Sequence, residues 1–177
     1  MDTHDGNIVQ WGGDHLPTGL YWYYSMGYQD CKIEHGLIPP QECPGIYKRF
    51  GHCGFRTDHA LRIYSSPNLR DWTLERENAL DNDSFPFGIY FRPKVIYNAA
   101  TGKYVLWVNH LPKALNPLRA YGKAGYTVAT SDSPSGPFTV ITQAAALSEG
   151  AAGDADLFVD ENGTDAYIVY NGWYNSH

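Results

Sequence analysis

Residues 95–110 read VIYNAATGKYVLWVNH. A short apolar run, Val95-Ile96-Tyr97, meets a turn, Asn98 to Lys103. An aromatic-rich run, Tyr104 to His110, leaves it. The turn contains Thr101-Gly102, and both flanking runs are rich in β-branched and aromatic residues. Those are the marks of a β-hairpin. The same order recurs on either side. Ile8-Val9-Gln10 leads through GGDHLPTG into Tyr21-Trp22-Tyr23-Tyr24-Ser25-Met26-Gly27. Leu157-Phe158-Val159 leads through DENGTD into Tyr167-Ile168-Val169-Tyr170-Asn171-Gly172-Trp173. In the first two units a third run follows, ALRIYSS from Ala60 and GYTVATS from Gly125. Each then passes a proline turn, SPNLRDW or DSPSGPF, into a fourth run, WTLE or FTVI.

Tyr104 and Tyr167 stand 63 residues apart, and Trp72 and Phe138 stand 66 apart. Tyr21 and Tyr104 are 83 apart; the excess is the cysteine-bearing stretch Gln29 to Arg56. Four antiparallel strands at a fixed period describe a β-propeller blade. The reading is therefore all-β: a partial β-propeller of about two and a half blades, each a four-stranded antiparallel sheet. Blade one takes residues 1–78 with its insertion at 29–56, blade two 79–147, and the first half of blade three 148–177. An unrelated β-sandwich with similar hairpins is the competing architecture.

Composition agrees. Of 177 residues, 43% are hydrophobic and 18% charged, enough apolar material for a core. Aromatics reach 15%, with 14 Tyr and 5 Trp. They suit β-structure, and also a surface that stacks on sugars. Net charge is −6 with no basic run, so no nucleic-acid partner is expected. No stretch approaches the ~20 apolar residues of a membrane span. The N-terminal residues show no signal-peptide pattern. Cys31, Cys43 and Cys53 match no common zinc spacing. They read as one local disulfide with one remaining thiol, or as three unpaired thiols. The first, with the sequons at Asn82 and Asn162, points to an oxidising, extracellular setting.

Chemistry is expected where the repeat converges. The first strand of each propeller blade lines the central channel, so residues just ahead of it meet at one mouth. Asp5 holds that place in blade one, Arg92-Pro93-Lys94 in blade two and Asp154 in blade three. Paired carboxylates suit glycoside hydrolysis by inversion. One activates water, and a protonated partner ~6.5–9.5 Å away donates to the leaving oxygen. A third carboxylate raises the acid's pKa by like-charge repulsion. The plainer reading of each aspartate is a turn cap. Asp160, Glu161 and Asp165 are read only that way. By blade position His4, Tyr90, Phe91, Arg92, Asn109, His110 and Asn171 also stand near the mouth, as candidate substrate-binding residues. Arg92 is read equally as a salt bridge between blades.

HDGNIVQW, FRPKVIYNAATGKYVLWVNH, ATSDSPSGPF and GDADLFVDENGTDAYIVY together resemble glycoside hydrolase family 43, and within it the galactan 1,3-β-galactosidase branch. The resemblance covers nearly the whole chain outside the cysteine stretch. It implies a secreted, inverting five-bladed propeller glycosidase acting on galactan, arabinan or xylan side chains. Asp5 then matches the general base and Asp154 the aspartate that tunes the acid. The general-acid glutamate belongs to the following blade. The chain is thus expected to be a fragment, inactive alone, with an open and aggregation-prone sheet edge. Two positions depart from the pattern. Asp5 stands where the galactanase branch often shows a Gly-rich stretch, and Phe91 stands where many relatives carry Glu. The resemblance implies no organic cofactor or site metal, and it allows a channel calcium ion in the intact enzyme. The expected partner is a polysaccharide or oligosaccharide, and oligomeric state is left open. A non-catalytic carbohydrate-binding propeller is the alternative.

Overall fold

The computed structural model describes residues 4–11, 19–27, 60–81, 86, 88–112, 124–145, 147 and 151–173. Cys31, Cys43, Cys53 and the sequon at Asn82 lie outside the described residues. Ten strands and no helix make up the described secondary structure. Consequently no described helix is long and apolar enough to cross a membrane.

The strands form three antiparallel sheets. The first runs β1 (His4–Gln10), β2 (Tyr21–Gly27), β3 (Ala60–Ser66) and β4 (Thr73–Arg76), in that spatial order. The second runs β5 (Gly88–Asn98), β6 (Lys103–Pro112), β7 (Gly125–Ser131) and β8 (Thr139–Ala145). The third is the pair β9 (Ala151–Val159) and β10 (Ala166–Trp173). Sheets of four strands in up-and-down order, stacked face to face, are propeller blades, and the fold is a partial β-propeller. Strand β5 packs against β1 and β2 on one side and β9 on the other, so blade two lies between its neighbours.

Turn chemistry explains the punctuation. Asn68 Oδ1 accepts the N–H groups of Arg70 and Asp71 at 2.9 Å, which closes the proline turn between β3 and β4. Asp160 Oδ1 accepts the N–H groups of Thr164 and Asp165 at 3.1 Å, across the β9–β10 turn. Those hydrogen bonds, the Asp165 N–H foremost, hold its carboxyl below the usual carboxylate range.

One core joins blades one and two. In β2 Trp22, Tyr24 and Met26 point inward, as period-two alternation requires, and meet Leu61, Ile63 and Leu80. From blade two come Ile89, Val95, Leu106, Leu111 and Phe138. Tyr24 crosses the boundary. Its hydroxyl donates to the Pro134 carbonyl at 2.8 Å, and its ring meets Phe138 edge-on at 6.3 Å. Burial pushes that hydroxyl's pKa far above the ordinary tyrosine value. Each fully buried side chain of this size contributes about 1.5–3 kcal/mol, which makes this boundary the stable part of the molecule.

Blade three is thinner. Phe158, Tyr167 and Val169 lie exposed on one face of β9–β10, with Phe158 and Tyr167 stacked at 5.0 Å. Trp107, half-buried, leans on Tyr126 and lines a cleft between blade two and the β9–β10 hairpin. It therefore packs toward blade three.

Candidate functional site

All three first strands carry the same defect. His4 pairs with Met26 and Asn7 with Tyr24, so Asp5-Gly6 face Ser25 alone. Phe91 pairs with Asn109 and Lys94 with Trp107, so Arg92-Pro93 face Val108 alone. Ala152 pairs with Gly172 and Ala155 with Tyr170, so Gly153-Asp154 face Asn171 alone. Two residues opposite one is a β-bulge, which bends the strand and re-aims its side chains.

The candidate residues therefore lie within the strands, not ahead of them as the repeat implied. The bulge also refines their equivalence. Asp5 aligns with Arg92 and Gly153, while Asp154 aligns with Gly6 and Pro93. Backbone geometry marks the first bulge position: φ is 55° at Asp5 and 53° at Arg92. The left-handed region suits aspartate better than arginine, and such residues cost about 1–3 kcal/mol unless the surroundings hold them. Gly6 is obligatory. Its φ is 93°, and a Cβ there would come within 1.7 Å of the Tyr24 carbonyl oxygen. Pro93 fits because a bulge position can do without an N–H.

Side chains of blade two reach both neighbours from this point. Arg92 Nε lies 3.0 Å from Asp154 Oδ1. Lys94 Nζ donates to the Gly6 carbonyl at 3.1 Å and lies 3.3 Å from Asp156 Oδ1. Asn7 returns the link: its Nδ2 donates to the Val95 carbonyl and its Oδ1 accepts the Val95 N–H. The Asp5 carbonyl accepts from the Tyr23 hydroxyl at 3.0 Å. Asp5 is half-buried; Asp154 is 62% exposed, and Arg92 35%. Two carboxylate-bearing bulges thus flank a cationic strand.

Beneath Asp154 sits a residue that sequence reading did not single out. Tyr126, buried in β7, donates its hydroxyl to the Gly153 carbonyl at 2.8 Å. Its pKa is pushed up to about 12, chiefly by burial, further by the Asp154 and Tyr170 charges, with Arg92 opposing. Asn171 lies across the bulge. A Cβ at residue 153 would come within 2.8 Å of the Asn171 carbonyl oxygen and would also displace the Asn171 side-chain amide, so the bulge leaves little room for a side chain there.

The remaining candidates are placed differently. Tyr90, Phe91, Asn109 and His110 are buried in blade two. Tyr90 and His110 stack in parallel at 4.6 Å, and Thr127 Oγ1 lies 2.9 Å from His110 Nδ1. The Tyr90 hydroxyl donates to the Pro86 carbonyl, and burial raises its pKa well above the ordinary value. Asn109 Nδ2 donates to the Gly125 carbonyl at 3.3 Å. His4 begins β1 opposite Met26. The structure thus brings Arg92 and Asn171 to Asp154, and sets the buried four into the blade. The described glutamates, Glu75, Glu77 and Glu161, all stand away from the three bulges, Glu161 in the turn beyond the far end of β9. Among the described residues no group of three or more His, Cys, Asp or Glu could hold a metal ion.

Solved structures share this architecture, among them propellers of glycoside hydrolases described as family-43 enzymes or exo-β-1,3-galactanases. One is a family-43 β-1,3-galactosidase bound to galactodeoxynojirimycin: TM-score 0.63, 24% identity, covering 96% of this chain and 54% of that one. A second is an exo-β-1,3-galactanase from Phanerochaete chrysosporium with β-1,3-galactotriose: TM-score 0.62, 22% identity, 96% and 32%. A third is an exo-β-1,3-galactanase from Clostridium thermocellum: TM-score 0.62, 24% identity, 96% and 32%. The chain spans between about a third and about half of the length of these neighbours. No family model and no curated protein matches it.

Proposed function

We propose that this chain carries part of the site of a glycoside hydrolase that cleaves galactan-type or related plant polysaccharides with inversion. The observation that carries the reading is the trio of equivalent bulges, which sets Asp5, Arg92 and Asp154 on adjacent first strands. The galactose-type ligands named with two of the fold neighbours support the substrate class. Asp5 accepts the proton of the attacking water. Asp154, paired with Arg92, is the carboxylate that keeps the general acid protonated. That acid is a glutamate outside the described residues, and the site faces an extracellular polysaccharide. Arg92, partly exposed, and Asn171, exposed, are the polar groups suited to sugar hydroxyls beside Asp154.

Isotope-labelled protein titrated with β-1,3-galactotriose tests this. Resonances of Asp5, Arg92, Asp154 and Asn171 should shift together. Shifts confined to other surfaces, or none at saturating sugar, reject it.

The absence of a described glutamate at a first strand also favours a second reading, a propeller that binds galactosides without cleaving them. Turnover of aryl β-galactosides that is lost in Asp5→Asn supports the hydrolase; galactotriose binding without turnover supports the binding propeller.

A further inference from the structure

Two side chains reach the carbonyls of the Asp5-Gly6 bulge. Asp5 and Gly6 together face Ser25 of β2. Their φ angles, 55° and 93°, are both left-handed. Tyr23, from the adjacent strand of the same blade, donates to the Asp5 carbonyl. The Gly6 carbonyl is held from another blade, by Lys94 Nζ at 3.1 Å.

We propose that Lys94 is a positioning residue for Asp5: its ammonium binds the Gly6 carbonyl and so fixes the left-handed pair that presents the Asp5 carboxylate. This rests on the reading of Asp5 as general base. The Lys94 side chain is only 18% exposed, so its hydrogen bond to Gly6 is made with little competition from water. Its other partner, Asp156, is 76% exposed and 3.3 Å away, a contact that solvent screens. The Gly6 bond is therefore the one that constrains geometry. Arg92, two residues earlier and on the other side of Pro93, reaches Asp154. Strand β5 thus sets the carboxylates of both its neighbours from one short segment, Arg92-Pro93-Lys94, and their relative placement follows from blade two.

The test uses the full labelled chain and four variants. Lys94→Met keeps the aliphatic stem and removes the donor. The Cα and Cβ shifts of Asp5 and the amide of Gly6 should move toward ordinary extended-strand values. Affinity for β-1,3-galactotriose should fall by about tenfold, as for the loss of one charge-assisted hydrogen bond. Lys94→Arg should restore both readouts. Asp156→Asn should leave both as in the unmodified chain. Unchanged Asp5 shifts in Lys94→Met would overturn the proposal. So would Asp156→Asn matching Lys94→Met, because Lys94 would then act only as an ion pair between blades. If Lys94→Met does not fold, Lys94→Gln, whose amide stops short of the Gly6 carbonyl, carries the same comparison. Should the unmodified chain not bind galactotriose, the reading of the site fails, while the Asp5 and Gly6 resonances still decide the role of Lys94.

Discussion

Asn7 and Val95 are joined like strand neighbours although they belong to different blades. The Asn7 amide donates to the Val95 carbonyl and accepts its N–H, each at 3.1 Å. A strand edge normally finds those two bonds in the next strand; here one side chain supplies both. Val95 is fully buried, so without Asn7 its peptide groups would be left unsatisfied away from water. Such a group costs about 1–3 kcal/mol. Asn7→Ala should therefore lower unfolding stability in urea by about 2–3 kcal/mol. Asn7→Asp keeps the acceptor and loses the donor, and should fall between.

Gly88 packs against the Tyr90–His110 stack. A Cβ at residue 88 would stand 2.3 Å from His110 Nε2 and 2.7 Å from the Leu111 carbonyl oxygen. The imidazole has little room to yield, because Tyr90 covers its face and Thr127 meets its Nδ1. Gly88→Ala should cost about 1–3 kcal/mol, the usual penalty for overpacking. It should also change the near-ultraviolet tyrosine signal as the stack opens. A variant with unchanged stability and spectrum would mean that His110 moves freely.

The ordered repeat was legible because each blade is written in turn residues and aromatic runs, and those depend on local chemistry alone. VIYNAATGKYVLWVNH covers the end of β5, its turn and most of β6, while β5 itself reaches back through the bulge to Gly88. The blades that carry Asp5 and Asp154 were legible for the same reason, but the repeat set both residues ahead of strands that in fact contain them. The bulges were not. Asp5-Gly6, Arg92-Pro93 and Gly153-Asp154 share no residue pattern, since the bulge depends on what the partner strand pairs with. Tyr126 escaped notice because its role rests on one long-range hydrogen bond, to Gly153, 27 residues away in the chain. Tyr90 and His110 have the residue types of a binding surface. Only packing shows that they fill the blade interior.

Alkaline pH should act through Tyr126. An unfolded tyrosine titrates near ~10, and in the folded chain Tyr126 is raised to about 12. The folded state then holds the proton more tightly than the unfolded state. The stabilisation is fully present below about pH 10 and is lost as pH rises through about 12. Tyr24 and Tyr90, raised for the same reason, steepen the fall. Thermal midpoints measured from pH 8 to 12 should be level at first and then drop. Tyr126→Phe should start lower, having lost its bond to Gly153, and lose less across the alkaline range. Parallel curves for the two proteins would remove Tyr126 from the account.

Arg92 allows a prediction in which two magnitudes compete. Its left-handed backbone, φ 53°, costs about 1 kcal/mol or more relative to glycine, which adopts that conformation freely. Its ion pair with Asp154 is partly solvated on both sides and contributes about 0–1 kcal/mol to stability. Backbone strain therefore outweighs or matches the ion pair. Arg92→Gly should leave unfolding stability unchanged or raise it by up to about 1 kcal/mol. If Arg92 serves the site, the same variant should weaken β-1,3-galactotriose binding by about tenfold, since a guanidinium in contact with sugar and carboxylate is lost. Arg92→Met, which keeps the strain and loses the charge, should weaken binding equally and also lower stability. A fall in stability of more than about 1 kcal/mol in Arg92→Gly, with binding intact, would make Arg92 a fastener between blades two and three and would leave Asp154 to act without it.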